Sequence, residues 1–174
     1  MSNYKENLKN ITTFIFDYDG VLTGEQLILT NDGEALRTAN VKDGYAMQYA
    51  VKMGYRIAVI SGGRAETIKK RFAAINVHDV FMGISNKVEV FTEYLKNNNL
   101  KTDEVLFMGD DIPDYHIMRM AGVATCPSDA AEEIKNVAAY ISNIKGGEGC
   151  VRKIIEQVLK VQGKWFDCEK AFLW

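Results

Sequence analysis

Carboxylates gather behind short apolar runs in this chain of 174 residues. Asp17 and Asp19 follow Phe14-Ile15-Phe16, while Asp110 and Asp111 follow the run 105–108 and Gly109, with Asp114 three residues on. Ser61 follows Ile57-Ala58-Val59-Ile60, and Lys87 opens a helical stretch after Ser85-Asn86. Carboxylates crowded into one crevice repel each other unless a cation sits among them. Oxygen donors with no imidazole or thiolate nearby suit Mg²⁺. An aspartate beside such an ion has two roles open to it: ligand only, or nucleophile that accepts a phosphoryl group as an aspartyl-phosphate. The second role needs a proton donor for the leaving alcohol, a cation on the phosphate and donors to the phosphoryl oxygens. Asp19, two residues from Asp17 on the same side of an extended segment, can act as acid and then base. Lys87 can supply the cation. Ser61, followed by Gly62-Gly63, can offer its hydroxyl, and the start of the next helix adds backbone N–H groups.

The elements that must hold these residues alternate. Residues 12–17, 55–60, 80–82, 105–108, 122–125 and 139–141 read as strands, and 43–52, 65–74, 87–96, 112–120, 130–137 and 150–161 as helices. Between the first strand and the first of these helices, 26–30 and 34–40 flank Asn31-Asp32-Gly33 and read as a hairpin, since Asp-Gly supplies the positive φ of a tight turn. Strands alternating with helices of about ten residues predict βαβ units: an α/β, three-layer, Rossmann-like parallel sheet with helices on both faces. Ligands of such a sheet sit at the carboxyl ends of its strands, where all three polar clusters land.

Composition narrows the field. Length predicts a single domain over 1–174. The net charge of −2 lacks the basic excess that sequence-independent nucleic-acid binding requires. Two histidines (His78, His116) and three cysteines (Cys126, Cys150, Cys168), with no C-x-x-C spacing, argue against a zinc site and for a reducing, cytoplasmic setting. No window approaches ~18 consecutive apolar residues, so no membrane span is expected.

Taken together, Asp17-Tyr18-Asp19-Gly20-Val21-Leu22-Thr23, Ile60-Ser61-Gly62-Gly63-Arg64, Lys87 and Gly109-Asp110-Asp111-x-x-Asp114 resemble the four ordered motifs of the haloacid dehalogenase superfamily. The likeness extends to its small capless branch of 3-deoxy-D-manno-octulosonate 8-phosphate phosphatases through Gly33-Glu34, Asn40-Val41-Lys42-Asp43-Gly44 and Gly146-Gly147-Glu148-Gly149. That resemblance implies an Mg²⁺-dependent phosphatase of a sugar-acid phosphate in lipopolysaccharide precursor synthesis. In it Asp17 attacks phosphorus, and Asp19 protonates the leaving oxygen and then activates water. It further implies that Asp17, the backbone carbonyl of Asp19 and Asp110 hold the metal, with Asp111 and Asp114 orienting its surroundings. Ser61, Gly62 and Lys87 would bind the phosphoryl group, and Lys42, Asp43, Gly44, Gly63, Arg64 and Arg71 the sugar acid.

The intervals between motifs are filled by helix and strand, leaving no room for an inserted cap. An uncapped site would be wet, and water weakens its electrostatics. A neighbouring subunit is the expected closure, with the hairpin flap (about 22–40) as contact, and the resemblance implies a homotetramer. The aromatic ending (about 163–174, with Trp165, Phe166, Phe172 and Trp174) is expected to pack on its own or another subunit. Three rival readings stand beside this one. A phospho-accepting receiver domain has a different motif order and is shorter. A non-catalytic oligomerising module would be attractive had Asp17 or Asp19 been lost. A nonulosonate 9-phosphate phosphatase would share the chemistry and differ in the pocket around Gly63-Arg64.

Overall fold

The computed structural model describes residues 4–64, 66–167 and 169–172. In chain order the elements are α1 (Tyr4–Asn7), β1 (Thr13–Phe16), β2 (Ile28–Leu29), β3 (Ala35–Leu36), α2 (Val41–Lys52), β4 (Arg56–Ile60) and α3 (Glu66–Ala73). They continue with β5 (Asp79–Phe81), α4 (Lys87–Asn97), β6 (Val105–Met108), α5 (Tyr115–Met120), β7 (Val123–Cys126), α6 (Glu132–Val137), β8 (Tyr140–Ile141) and α7 (Cys150–Val161). Among the described residues, six strands form one parallel sheet in the order β5-β4-β1-β6-β7-β8. The chain leaves β1 toward one edge and returns past it toward the other, so β1 marks the point where the strand order reverses. Crevices for ligands open at that point.

Side chains of successive strand residues point to opposite faces, and the apolar runs divide accordingly. Phe14, Phe16, Ile57, Val59, Leu106 and Met108 join one core with α2, α3 and α7. Ile15, Ala58, Ile60, Val105 and Phe107 join a second core with α4, α5 and α6. Strands buried on both faces need continuous apolar runs, which is what β1, β4 and β6 provide.

Several boundaries depart from the sequence reading for local reasons. Helix α2 starts two residues early because Asn40 caps it, its side chain accepting from the Lys42 and Asp43 N–H groups. The helix expected over 112–120 opens as a 3₁₀ turn, Ile112–Asp114, containing Pro113. The hairpin shrinks to two paired positions per strand, with Ile28 opposite Leu36 and Leu29 opposite Ala35. Helix α1 and the 3₁₀ turn Leu8–Asn10 after it had no counterpart in the sequence reading, and Leu8 is fully buried. In the tail, Trp165 packs edge-on against Tyr49 at 5.4 Å beneath the Arg152 guanidinium, so that part docks on its own subunit. Phe166 and Phe172 pair with each other but stay exposed, and Trp174 lies outside the described residues.

Candidate active site

The ends of β1, β4 and β6 bring the sequence-singled residues to one cavity of about 880 Å³, lined by Asp17, Asp19, Ser61, Gly62, Gly63, Lys87, Asp110 and Asp111 among others. Asp17 is reached directly from β1. Its N–H donates to the Met108 carbonyl at 3.0 Å, tying it to β6, and its Oδ1 accepts from the Tyr18 N–H at 2.7 Å. Lys87, the first residue of α4, puts Nζ 2.9 Å from Asp17 Oδ2 and 2.8 Å from Asp114 Oδ1. Asp114 accepts the Asp110 N–H on its other oxygen at 3.1 Å. One buried ammonium therefore serves two buried carboxylates.

Charge is undercompensated here. Burial, then the neighbouring Asp114, pushes Asp17 up to about 7 despite Lys87. Burial, then Asp17 and Asp114, pushes Asp110 up to about 8. Burial raises Asp114 as well, against the pull of Lys87. Burial would depress the Lys87 ammonium, but Asp17 and Asp114 outweigh it and hold Lys87 above its ordinary value. Asp110 Oδ1 is buried with no hydrogen-bond partner. Oxygens of Asp17, Asp110 and Asp114 all lie within 4.8 Å of one another. An all-oxygen cluster with an orphaned acceptor and excess negative charge fits a hard divalent cation.

The backbone is shaped around that cluster. Gly20 has φ +83°, and a Cβ there would collide with the Asp110 carboxylate. The loop 146–149 braces the acidic turn from beneath. Gly147 N–H donates to the Val21 carbonyl at 2.9 Å, and Gly146 N–H to Asp129 Oδ1 at 3.0 Å. Ser61 is buried, and its Oγ accepts from the Gly63 N–H at 3.1 Å.

Other residues singled out in the sequence lie elsewhere. Arg64 and Arg71 line a second cavity of about 600 Å³ beside the hairpin, together with Tyr18, Arg37 and Thr67. Lys42 is exposed, and Lys42, Asp43 and Gly44 line neither cavity. Asp43 instead turns inward, where its Oδ1 accepts the Arg152 N–H at 2.7 Å and caps the start of α7. In this structure its carboxylate serves a helix terminus that Gly149 cannot cap with a side chain. Gly44 lies 3.3 Å from Arg71 Nη2, measured from where a Cβ would stand.

Arg37, just past β3, was missed by the sequence reading. Its Nε and Nη2 grip Asp19 at 2.6 and 3.1 Å. The signal in the sequence is slight, a single arginine in the strand arm 34–40, and its partner lies 18 residues away.

Known proteins share this fold. A family model for haloacid dehalogenase-like hydrolases matches residues 65–154. The 3-deoxy-D-manno-octulosonate 8-phosphate phosphatases of Salmonella typhi and Escherichia coli K12 are each 33% identical over 156 residues, 90% of this chain and 83% of theirs. The crystal structure of the Yersinia pestis phosphatase of that name superimposes with a TM-score of 0.92 at 29% identity, covering 95% of this chain and 90% of that one. The Moraxella catarrhalis phosphatase, crystallised with magnesium, phosphate and KDO, gives 0.93 at 26% identity with 99% of each chain covered. This chain belongs to the haloacid dehalogenase-like hydrolases, in the family of the 3-deoxy-D-manno-octulosonate 8-phosphate phosphatases.

Proposed function

We propose that the protein hydrolyses 3-deoxy-D-manno-octulosonate 8-phosphate to the free sugar acid and phosphate, a step toward lipopolysaccharide. One observation carries the reading: a buried aspartate at the β1 end lies 2.9 Å from a buried lysine, beside the unpartnered oxygen of Asp110. Family membership and the relatives' named substrate support the choice of sugar acid.

Asp17 Oδ attacks phosphorus, the bond from phosphorus to the sugar oxygen breaks, and Asp19 delivers a proton to that oxygen. Asp19 then takes a proton from water, which attacks the aspartyl-phosphate and frees Asp17 and phosphate. Lys87 and Ser61, with the Gly62 backbone, hold the phosphoryl oxygens. Asp17, Asp110 and the Asp19 carbonyl would hold Mg²⁺, and Asp114 fixes Lys87 and the Asp110 backbone while Asp111 lines the cavity. Bound Mg²⁺ supplies charge neutralisation that lets an anionic nucleophile meet an anionic phosphate. Gly63, Arg64 and Arg71 face the sugar acid.

The same reading takes residues 1–174 as one cytoplasmic hydrolase domain, supported by two cores sharing one sheet and by buried free thiols at Cys126 and Cys150. It takes the assembly as a homotetramer seated on the hairpin, whose Ile28 and Leu29 are 61% and 77% exposed. Phosphate release from a panel of sugar-acid phosphates, with and without Mg²⁺, tests the function. Mg²⁺-dependent turnover of the octulosonate ester is expected, and equal rates on all esters or without metal would overturn it.

A further inference from the structure

Asn40 makes two kinds of bond with one side chain. Its Oδ1 accepts from the Lys42 and Asp43 N–H groups at 2.9 and 3.3 Å and so caps α2. Its Nδ2 donates to the Gly147 carbonyl at 3.2 Å, across 107 positions of sequence. A cap needs only an acceptor, and serine or aspartate would start α2 as well. The amide donor is therefore unexplained by the helix. Asp43, in the first turn of α2, accepts the Arg152 N–H at 2.7 Å and ties this same helix start to α7, which makes Asn40 a firm anchor.

Gly147 is where the loop 146–149 meets the turn after β1. Its N–H donates to the Val21 carbonyl at 2.9 Å, and the Cys150 thiol donates to the same oxygen at 3.4 Å. The fit has no slack. A Cβ at Gly146 would stand 1.8 Å from the Gly20 carbonyl oxygen, and one at Gly147 would stand 2.4 Å from the Gly24 nitrogen. The turn itself closes on the Tyr18 carbonyl, which accepts the Leu22 and Thr23 N–H groups at 2.9 and 3.1 Å. Gly20, inside the turn, backs directly onto the Asp110 carboxylate, whose Oδ1 is buried and unpartnered. Interiors packed this closely transmit a displacement instead of absorbing it.

We propose that Asn40 is a positioning residue for the metal centre, holding the loop 146–149 against the turn that carries the Asp19 carbonyl and backs Asp110. This rests on the phosphatase reading and puts a determinant of Mg²⁺ affinity at the start of α2, outside the cavity that the ion would occupy. Asn40 touches neither ion nor phosphoryl group; it acts by keeping two oxygen donors at their spacing.

The experiment separates the cap from the brace. Asn40→Asp and Asn40→Ser keep an acceptor for α2 and lose the donor to Gly147, with serine controlling for the charge that aspartate adds; Asn40→Ala loses both. Measured for each are thermal melting without metal, amide hydrogen exchange at Gly147, calorimetric Mg²⁺ titration, and kcat and KM on the octulosonate ester. Asn40→Asp and Asn40→Ser are expected to melt with wild type and to exchange faster at Gly147. Their Kd for Mg²⁺ should rise about three- to ten-fold, the size of one lost hydrogen bond. Their kcat should fall at limiting Mg²⁺ and recover at high Mg²⁺, with KM for the ester unchanged. If only Asn40→Ala departs from wild type, Asn40 is a helix cap and the brace is overturned. Faster exchange at Gly147 with unchanged Mg²⁺ affinity overturns it too. Should Asn40→Ala fail to fold, the other two variants decide. A wild type that hydrolyses no sugar-acid ester defeats the phosphatase reading, and exchange with Mg²⁺ titration still judges the brace.

Discussion

The strand-end rim and the hairpin differ in what holds them. At the rim, Asp17, Lys87 and Asp114 are buried and each is tied to a backbone N–H or to another member at 3.1 Å or less. The hairpin has two paired positions per strand and presents Leu27, Ile28, Leu29 and Leu36 to solvent. A two-stranded ribbon is marginal in water, and a contiguous apolar patch asks for a partner. The rim is held within the single folded chain, while the hairpin's apolar surface is what the proposed assembly would cover. Changes at the rim should move chemistry, and stability as well where they unbalance its buried charges, whereas changes at the hairpin should move assembly and leave the fold alone.

The sharpest probe of the rim is Asp17→Asn. The amide is nearly isosteric but cannot attack phosphorus, so turnover is expected to fall on the order of 10⁴-fold or more, with thermal stability preserved. Rates near wild type with folded protein would remove the covalent route. Next comes Lys87→Met. It leaves Asp17 and Asp114 facing each other without their shared cation, and breaking a buried charge cluster in this way costs about 3–5 kcal/mol. Urea unfolding at pH 8 reads that loss, and it should shrink at pH 5, where the carboxylates take up protons.

Metal linkage gives a third measurement. Burial and then the Asp114 charge push Asp17 up to about 7, and burial and then the Asp17 charge push Asp110 up to about 8. Their contribution to stability is full below pH ~4 and is lost as pH rises through 7 to 8. Mg²⁺ binds the ionised form, so its stabilisation should grow with pH, reaching about 2.7 kcal/mol at pH 8 for a concentration of ~100 Kd. Calorimetric melting with and without Mg²⁺ from pH 5 to 8 checks this. A shift independent of pH would place the ion away from these carboxylates.

A smaller effect belongs to Asp43, which burial pushes up to about 6 against the Arg152 N–H and charge. With a raised value, its stabilising contribution is present below pH ~4 and fades as pH passes 6. Asp43→Asn keeps the acceptor for the α7 terminus and removes the buried charge. It should be more stable than wild type by about 1 kcal/mol at pH 8, with the difference closing at pH 4. A variant less stable at pH 8 would mean that the charge itself holds α7.

Much of the rim was legible because strand ends are written in the sequence. An apolar run long enough to be buried on both faces stops where polar residues begin, and a parallel sheet sends all such ends to one side. Asp17, Ser61 and Asp110 followed from that alone. Lys87 was legible as a helix start. Arg37 and Asp43 were not, because their partners are 18 and 109 positions away and no periodicity encodes a single tertiary contact. Asp43 was named only as a substrate residue through the resemblance, and its bond to the α7 terminus comes from the packing of α2 against α7. The hairpin was legible as a turn, but its strands were read too long: beyond the two paired positions one backbone bond, Thr30 N–H to the Glu34 carbonyl at 2.9 Å, closes the turn, and nothing in the composition marks where the pairing ends.

Leu29→Asp separates the two regions most directly, although its effect on the fold is the least of all. Leu29 is 77% exposed in the single chain, so replacing it removes almost no packing, and unfolding free energy should change by less than ~0.5 kcal/mol. If the hairpin seats one copy against another, a carboxylate in the middle of that apolar seam must be desolvated without a partner, and the assembly should dissociate. Sedimentation at micromolar concentration is expected to show a smaller species whose cavity at the β1 end binds Mg²⁺ as wild type does but turns over sugar-acid ester more slowly. An unchanged oligomer would free the hairpin from that role, and a fully active small species would show that the rim needs no neighbour to close it.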